Sequence, residues 1–374
     1  HYAFLHTDYG SFAGLEVVGC CDTDRTKAKD VAQKFGCDAY EDTAVMISEQ
    51  SPDMVAVLTP SGDHYVHAKA VLDQGCSVLV EKPITLIPEQ AHELIDLAES
   101  KGLAYASIFQ NRYNPAVGKI KEAMDKGRFG NIVTAAIRLR WCRQQDYYED
   151  GWHGTWAQDG GVINQQAIHH VDALNWICGP IETVTASMAN RANELEAEDT
   201  MTAALKFTNG ALGTIEATTA ARPDDFEASL SIVGSEGLAQ IGGIAVNELQ
   251  VFTPDPAACS AHSEDFQGIK GAGAVYGHGH GQMYRDIVAF FRDGTPYPVS
   301  RDDCLGTLNL LHAFYRSDEA GGWVDVDSAD ESTRLGRASR PLRAAWITMQ
   351  HEANHAVSGK QHIFPGTKCT GIDV

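Results

Sequence analysis

An α/β chain in two unlike parts is predicted: a parallel sheet with crossover helices, then an α+β part built on a large, mostly antiparallel open sheet. Two observations predict it. Up to about residue 110, short apolar runs alternate with segments of helical periodicity, the rhythm of strands joined by crossover helices. After about residue 114 the chain turns to strand-like runs separated by turn residues such as Asn209-Gly210 and Gly234-Ser235-Glu236-Gly237, as antiparallel strands are.

In the first part, strands are predicted at 15–21, 54–58, 77–80 and 103–109, with helices at 25–35, 63–74 and 88–101; in the last of these Leu94, Ile95, Leu97 and Ala98 recur at helical spacing. The run Ser77-Val78-Leu79-Val80-Glu81-Lys82-Pro83 is the most informative. An apolar strand there delivers a lysine, between a carboxylate and a proline, to the C-terminal edge of the sheet, where open α/β sheets bind ligands. A partly desolvated lysine can polarise a hydroxyl, although it can also simply pair with Glu81 at the strand end. Asp22 follows the first strand, a place from which dinucleotide-binding folds hold adenosine ribose hydroxyls and repel a 2′-phosphate; an acidic residue there also serves as a turn or cap. The G-x-G-x-x-G loop that should come earlier is absent. It belongs to a strand before Leu15, where His1-Tyr2-Ala3-Phe4-Leu5-His6 reads as the end of the helix such a loop opens. The first domain is therefore expected to be N-terminally truncated, with its first, central strand missing.

The second part is predicted as a helix at 114–126, a strand at 132–141, an aromatic and basic stretch to Trp156, the pair Gly160-Gly161, and a helix at 162–177. Strands at 183–188, 201–207, 211–217, 227–233 and 249–252 follow, then helices at 281–292 and 302–315. The segment 253–274, rich in Pro, Ala, Ser and Gly, is expected to be a mobile loop. Three regions result: 1–112, a dinucleotide-binding domain; 113–337, a substrate-binding and oligomerisation domain; and 338–374, a tail of no assigned role. On the helix 162–177, Gln165, His169, Asp172 and Trp176 fall on one face. His169 can titrate near neutrality and act as a general base, or be a hydrogen-bonded member of a helix face; His170 points elsewhere.

With 29 Lys and Arg against 50 Asp and Glu, the formal charge of −21 argues against a nucleic-acid partner, whose phosphates need cations. An anionic substrate needs a local basic pocket. Nine cysteines, with no C-x-x-C pair, read as reduced thiols of a cytoplasmic protein. No apolar stretch approaches the ~20 residues that span a bilayer, so no membrane partner is expected. His351-Glu352-Ala353-Asn354-His355 fits the H-E-x-x-H zinc spacing, but His362 is out of step with the extended three-histidine pattern, and no metal is expected.

Asp22, Thr59-Pro60 with His64, Glu81-Lys82-Pro83, and Gly160-Gly161 through Ala167-Ile168-His169-His170-Val171-Asp172 resemble, in order and spacing, the Gfo/Idh/MocA oxidoreductase family over roughly residues 1–337. The resemblance implies a Rossmann domain, an α/β domain whose open sheet forms oligomer interfaces, and NAD as cofactor. It places Asp22, Thr59, Pro60, His64, Glu81 and Lys82 at the cofactor. Lys82 would orient the reacting hydroxyl and His169 would take its proton. Gln165 stands where many members have aspartate and can position a hydroxyl but not share its proton. The segments 109–115 and 140–148 resemble the branch that oxidises nucleotide-linked uronic acids, such as UDP-N-acetylglucosaminuronate 3-dehydrogenases. Arg112, Asn114, Arg140, Arg143, Tyr148 and His280 are then the expected substrate residues, since a diphosphate and a carboxylate need guanidinium partners and a base needs an aromatic platform. The expectation is a cytoplasmic, homo-oligomeric (dimer or tetramer) NAD-dependent sugar dehydrogenase. The alternatives are an NAD-dependent glycoside hydrolase, a polyol or inositol dehydrogenase, or a relic that has lost its cofactor.

Overall fold

In the computed structural model, which describes residues 15–264 and 279–338, the apolar run Ser77–Val80 is the middle strand of a parallel sheet. Val78, Leu79 and Val80 are wholly buried, as in a strand covered on both faces. The first part runs β1 (Gly19–Cys21), α1 (Arg25–Phe35), β2 (Asp38–Tyr40), α2 (Thr43–Gln50), β3 (Met54–Val57), α3 (His64–Asp73), β4 (Ser77–Val80), α4 (Pro88–Ser100) and β5 (Tyr105–Ser107). β1 pairs with β2, and β3–β4–β5 form a second ladder, all parallel. No described strand joins β1 to β3, and the residues before Leu15 lie outside those described. Asp24 and Asp42 cap α1 and α2 by accepting from the first free N–H groups, a saving of typically ~1 kcal/mol each.

The second part comprises α5 (Pro115–Asp125), β6 (Ile132–Arg140), α6 (Val162–Gln165), α7 (Ile168–Cys178), β7 (Ile181–Ala189), β8 (Thr200–Phe207), β9 (Leu212–Thr218), β10 (Glu227–Gly234), β11 (Leu238–Gly242), β12 (Glu248–Phe252), α8 (Ala258–Ala261), α9 (His280–Asp293), α10 (Arg301–Ala320) and β13 (Val324–Asp325). The eight strands lie in the order β12-β11-β10-β6-β9-β8-β7-β13, antiparallel except for β6 beside β9. Alternate residues of β8 and β9 are buried, the signature of a sheet covered on one face. α7 packs on β6, and α10 packs on β7 and α7.

Two sequence readings are corrected here. The single helix expected at 162–177 is two, broken at Gln166 and Ala167. The loop expected at 253–274 contains the short helix α8; its residues from 265 on, like His351, His355, His362 and the rest of the tail, lie outside the described residues. No described helix is long and apolar enough to cross a membrane, and the eight described cysteines are free thiols.

Candidate active site

The end of β4 carries the centre of the site. Lys82 Nζ donates to Gln165 twice, to the side-chain Oε1 at 2.6 Å and to the backbone oxygen at 2.9 Å. The helix break supplies that backbone acceptor, because a carbonyl at the end of α6 has no helical partner to bond. Burial pulls the Lys82 ammonium below its ordinary range, opposed by the carboxylates of Glu81 and Asp159.

α7 brings His169 to the same place. Its pKa falls well below the ordinary histidine value, first through burial and then through the charge of Lys82, so it is a neutral base at pH 7. The side-chain nitrogen of Gln110 lies 3.1 Å from His169 Nε2, while Gln110 Oε1 and His169 Nδ1 are both buried without partners. Turning that amide over lets Oε1 accept from Nε2–H and leaves the Nδ1 lone pair to receive a proton, the arrangement a base requires. The sequence assigns Gln110 no role of its own, although it lies in the segment 109–115 that resembles the uronic-acid-oxidising branch. His170 lies on another side of α7, its ring edge-on to Trp141 at 5.8 Å, and burial alone lowers it to about 4. His280, at the start of α9, is buried near Glu81 and is also lowered to about 4.

Gly160 and Gly161 set the loop that leads into α6. Gly160 has φ +78°, and a Cβ on Gly161 would lie 2.2 Å from the Glu198 carboxylate. That carboxyl is fully buried and accepts from the Ile163 N–H and the Tyr315 hydroxyl; burial raises it to about 8. Folded Glu198 therefore keeps its proton to about pH 8, whereas the unfolded chain loses it near 4.5. The folded state binds more protons in between, so this group's contribution to stability declines as pH rises through that window. Glu198→Gln escapes the loss, and its melting temperature relative to the native chain should climb from pH 5 to pH 8; a pH-independent difference contradicts this.

The expected cofactor residues lie at one edge. Asp22 follows β1 directly; its Oδ1 accepts from the Asp24 N–H at 2.8 Å. Thr59 Oγ1, beyond β3, is buried with no partner, an orphan that suits a polar group of a bound dinucleotide. His64 is buried, with its ring nitrogens 2.7 Å from the Pro83 carbonyl and 3.0 Å from that of Thr59. It ties the loop containing Thr59 and Pro60 to the loop containing Lys82. Glu81 accepts from the Lys82 backbone N–H at 2.9 Å.

The expected substrate residues divide. Arg112 is buried: Nε and Nη2 grip Asp172 at 2.8 and 2.6 Å, Nη2 also pairs with the partly exposed Asp303 at 3.0 Å, and Nη1 donates to the Pro298 carbonyl. Its charge is spent inside the fold. Arg140, on a partly exposed strand end, is held by Glu216 through two hydrogen bonds and by Glu227 through a third. Asn114 is fully buried and donates to the Ala245 carbonyl, while its Oδ1 has no partner. Tyr148 bonds Thr219 through its hydroxyl at 2.7 Å. Arg143 differs: Nη1 donates to Asp225 and to the Cys142 carbonyl, and the guanidinium lies over Trp141 and Tyr147. The Tyr147 ring in turn lies 4.2 Å from the ring of His153, and the Trp152 ring lies 3.7 Å from the same histidine, centroid to centroid. Arg143 and this aromatic set form a partly exposed cation platform.

Comparisons with known proteins agree on the family. Residues 3–109 match the model of the oxidoreductase family with an NAD-binding Rossmann fold, and residues 117–240 match the GFO/IDH/MocA C-terminal domain. The crystal structure of the WlbA dehydrogenase from Bordetella pertussis, in complex with NADH and UDP-GlcNAcA, is similar with a TM-score of 0.77 at 32% identity, over 83% of this chain and 90% of that one. D-glucoside 3-dehydrogenase of Escherichia coli (strain K12) is 34% identical over 171 residues, 44% of this chain and 47% of that enzyme. Inositol 2-dehydrogenase of Rubrobacter xylanophilus is 29% identical over 233 residues, 61% of this chain and 64% of that enzyme.

Proposed function

From the premise that the chain is an NAD-binding oxidoreductase of the Gfo/Idh/MocA family, we propose that it oxidises a ring secondary alcohol of a nucleotide-linked uronic acid. The observation that carries the reading is the convergence of Lys82 and His169, from separate elements, on one half-buried place at the edge of the parallel sheet. Bound NAD supplies the hydride acceptor. Lys82, fixed by Gln165, donates to the substrate oxygen and favours its loss of a proton; His169, neutral and oriented by Gln110, receives that proton. Asp22 and Thr59 would hold the dinucleotide, and the boundary between its domain and the substrate domain would fall near residue 112.

The substrate class is supported by the likeness to a dehydrogenase crystallised with UDP-GlcNAcA and by Arg143 on its aromatic platform. A second reading, a dehydrogenase of neutral glycosides or polyols, is favoured by the buried ion pair that absorbs Arg112, by the pairing of Arg140 with Glu216, and by the names of the two curated relatives. We also propose a homo-oligomer, because Val133, Leu212, Val233, Leu238 and Val251 of the large sheet are exposed, and a cytoplasmic setting, because the described cysteines are free thiols.

Arg143→Ala distinguishes the two substrate readings. A charge-assisted hydrogen bond is worth roughly 1.5–3 kcal/mol, so kcat/KM for a UDP-linked uronic acid should fall about ten- to a hundredfold, with that for myo-inositol or a methyl glucoside nearly unchanged. Equal losses on both, or a native preference for the neutral compound, overturn the nucleotide-sugar reading.

A further inference from the structure

The thiols of Cys20 and Cys37 lie 3.5 Å apart, sulfur to sulfur, and both residues are half-buried. Strand pairing brings them together. β1 and β2 run parallel with Cys20 opposite Ala39, and Cys37, two residues before Ala39, points to the same face of the ladder. Alternation sends the next sulfur the other way: Cys21 Sγ lies 3.6 Å from Thr43 Oγ1 at the start of α2, and Cys21 packs on the apolar core. Cys21 is therefore no rival for Cys37. Among the described residues Cys20 and Cys37 are the one pair of cysteine sulfurs in contact, and the chemistry assigned to Lys82 and His169 uses neither.

A disulfide holds its sulfurs about 2.05 Å apart, so oxidation must draw this pair together by roughly 1.5 Å. The surrounding backbone is anchored on both sides. The Cys37 N–H donates to the Ala32 carbonyl at the end of α1, and the Asp22 N–H donates to the Tyr40 carbonyl, each at 3.1 Å. Asp22 Oδ1 accepts from the N–H of Asp24, which caps the head of the same helix. Closing the sulfurs thus pulls on β1 and on α1, the two elements between which Asp22 is fixed, and displaces a carboxylate set for a dinucleotide.

We propose that Cys20 and Cys37 form a reversible oxidation site, which a hydroperoxide converts to a disulfide and which weakens dinucleotide binding when oxidised. Burial, and then the Cys37 sulfur beside it, push the Cys20 thiol up to about 12, so Cys37 meets the oxidant first. Cys37 attacks a peroxide oxygen as the O–O bond breaks, giving a sulfenic acid and water; Cys20 then attacks that sulfur and expels a second water. The two thiols lose two hydrogens and two electrons, and hydrogen peroxide becomes two waters. The effect on binding rests on the reading of Asp22 as a cofactor residue; the cross-link itself does not.

The full-length chain, reduced and then treated with hydrogen peroxide, should become lighter by two hydrogens and give on digestion a cross-linked peptide pair carrying Cys20 and Cys37. Cys20→Ser and Cys37→Ser should lose that species, and Cys21→Ser should keep it. Calorimetry should find NAD bound about fivefold more weakly by the cross-linked chain, an ordinary coupling between two sites. Dithiothreitol should restore the affinity, and peroxide should leave it unchanged in Cys37→Ser. Absence of the Cys20–Cys37 peptide, or a cross-linked chain with undiminished NAD affinity, overturns the proposal. Should the cross-link form and weaken NAD while the reduced chain oxidises no nucleotide-linked uronic acid, the oxidation site stands and the substrate reading fails.

Discussion

Replacing His169 or Lys82 by alanine is expected to lower kcat by about 10²–10⁴ and leave NAD affinity nearly unchanged, because each group acts on the reacting hydroxyl and not on the dinucleotide. His169 is neutral at pH 7 and has an unpartnered ring nitrogen; Lys82 is aimed by two bonds to Gln165. His170→Ala serves as the control, since that ring faces Trp141 and its loss should cost packing but not hydride transfer. Single-turnover rates together with calorimetric NAD binding check the set. A damaging His170→Ala beside a mild His169→Ala would reverse the assignment. The low pKa of His169 also fixes a sign: the acid limb of kcat/KM should lie below the ordinary histidine value, because the base loses its competence only when protonated.

The second large effect falls on the fold. Arg112→Ala leaves Asp172, 1% exposed, as an unpaired carboxylate beside Asp303 and Thr307, and breaking a buried pair from one side costs about 3–5 kcal/mol. Against a total of about 5–15 kcal/mol, the denaturant midpoint should drop steeply. Exchanging both partners, Arg112→Met with Asp172→Leu, should recover much of the loss, since no charge is then stranded. A single change costing under about 1 kcal/mol would show that the triad is not desolvated as its geometry implies.

The contrast between Arg112 and Lys82 shows where sequence was legible. Strand β4 and the lysine at its end followed from an apolar run closed by Glu-Lys-Pro, a local pattern whose ends match the structure. Burial partners of a guanidinium are not local: Asp172 and Asp303 lie far along the chain, and nothing in the neighbourhood of Arg112 announces them. The same holds for Arg140, whose two glutamates sit on adjacent strands and become visible only once the register of β6, β9 and β10 is known. Helical spacing placed His169 on the right element. It mistook Gln165 for a member of the same helical face, because the break at Gln166 and Ala167 carries neither proline nor glycine to mark it. Short elements were missed for want of period: β2, β11, β13 and α2 are too brief or too mixed for alternation to stand out.

The central claim is hydride transfer from a sugar carbon to NAD with Lys82 and His169 handling the proton. A single-turnover experiment tests it most directly, with excess full-length enzyme, NAD, and a UDP-linked uronic acid deuterated at its ring C–H positions. The account predicts one equivalent of deuterated NADH per ketone formed, and loss of that burst in His169→Ala. Cleavage of the glycosidic bond with no net NADH, or a burst undiminished in His169→Ala, contradicts it.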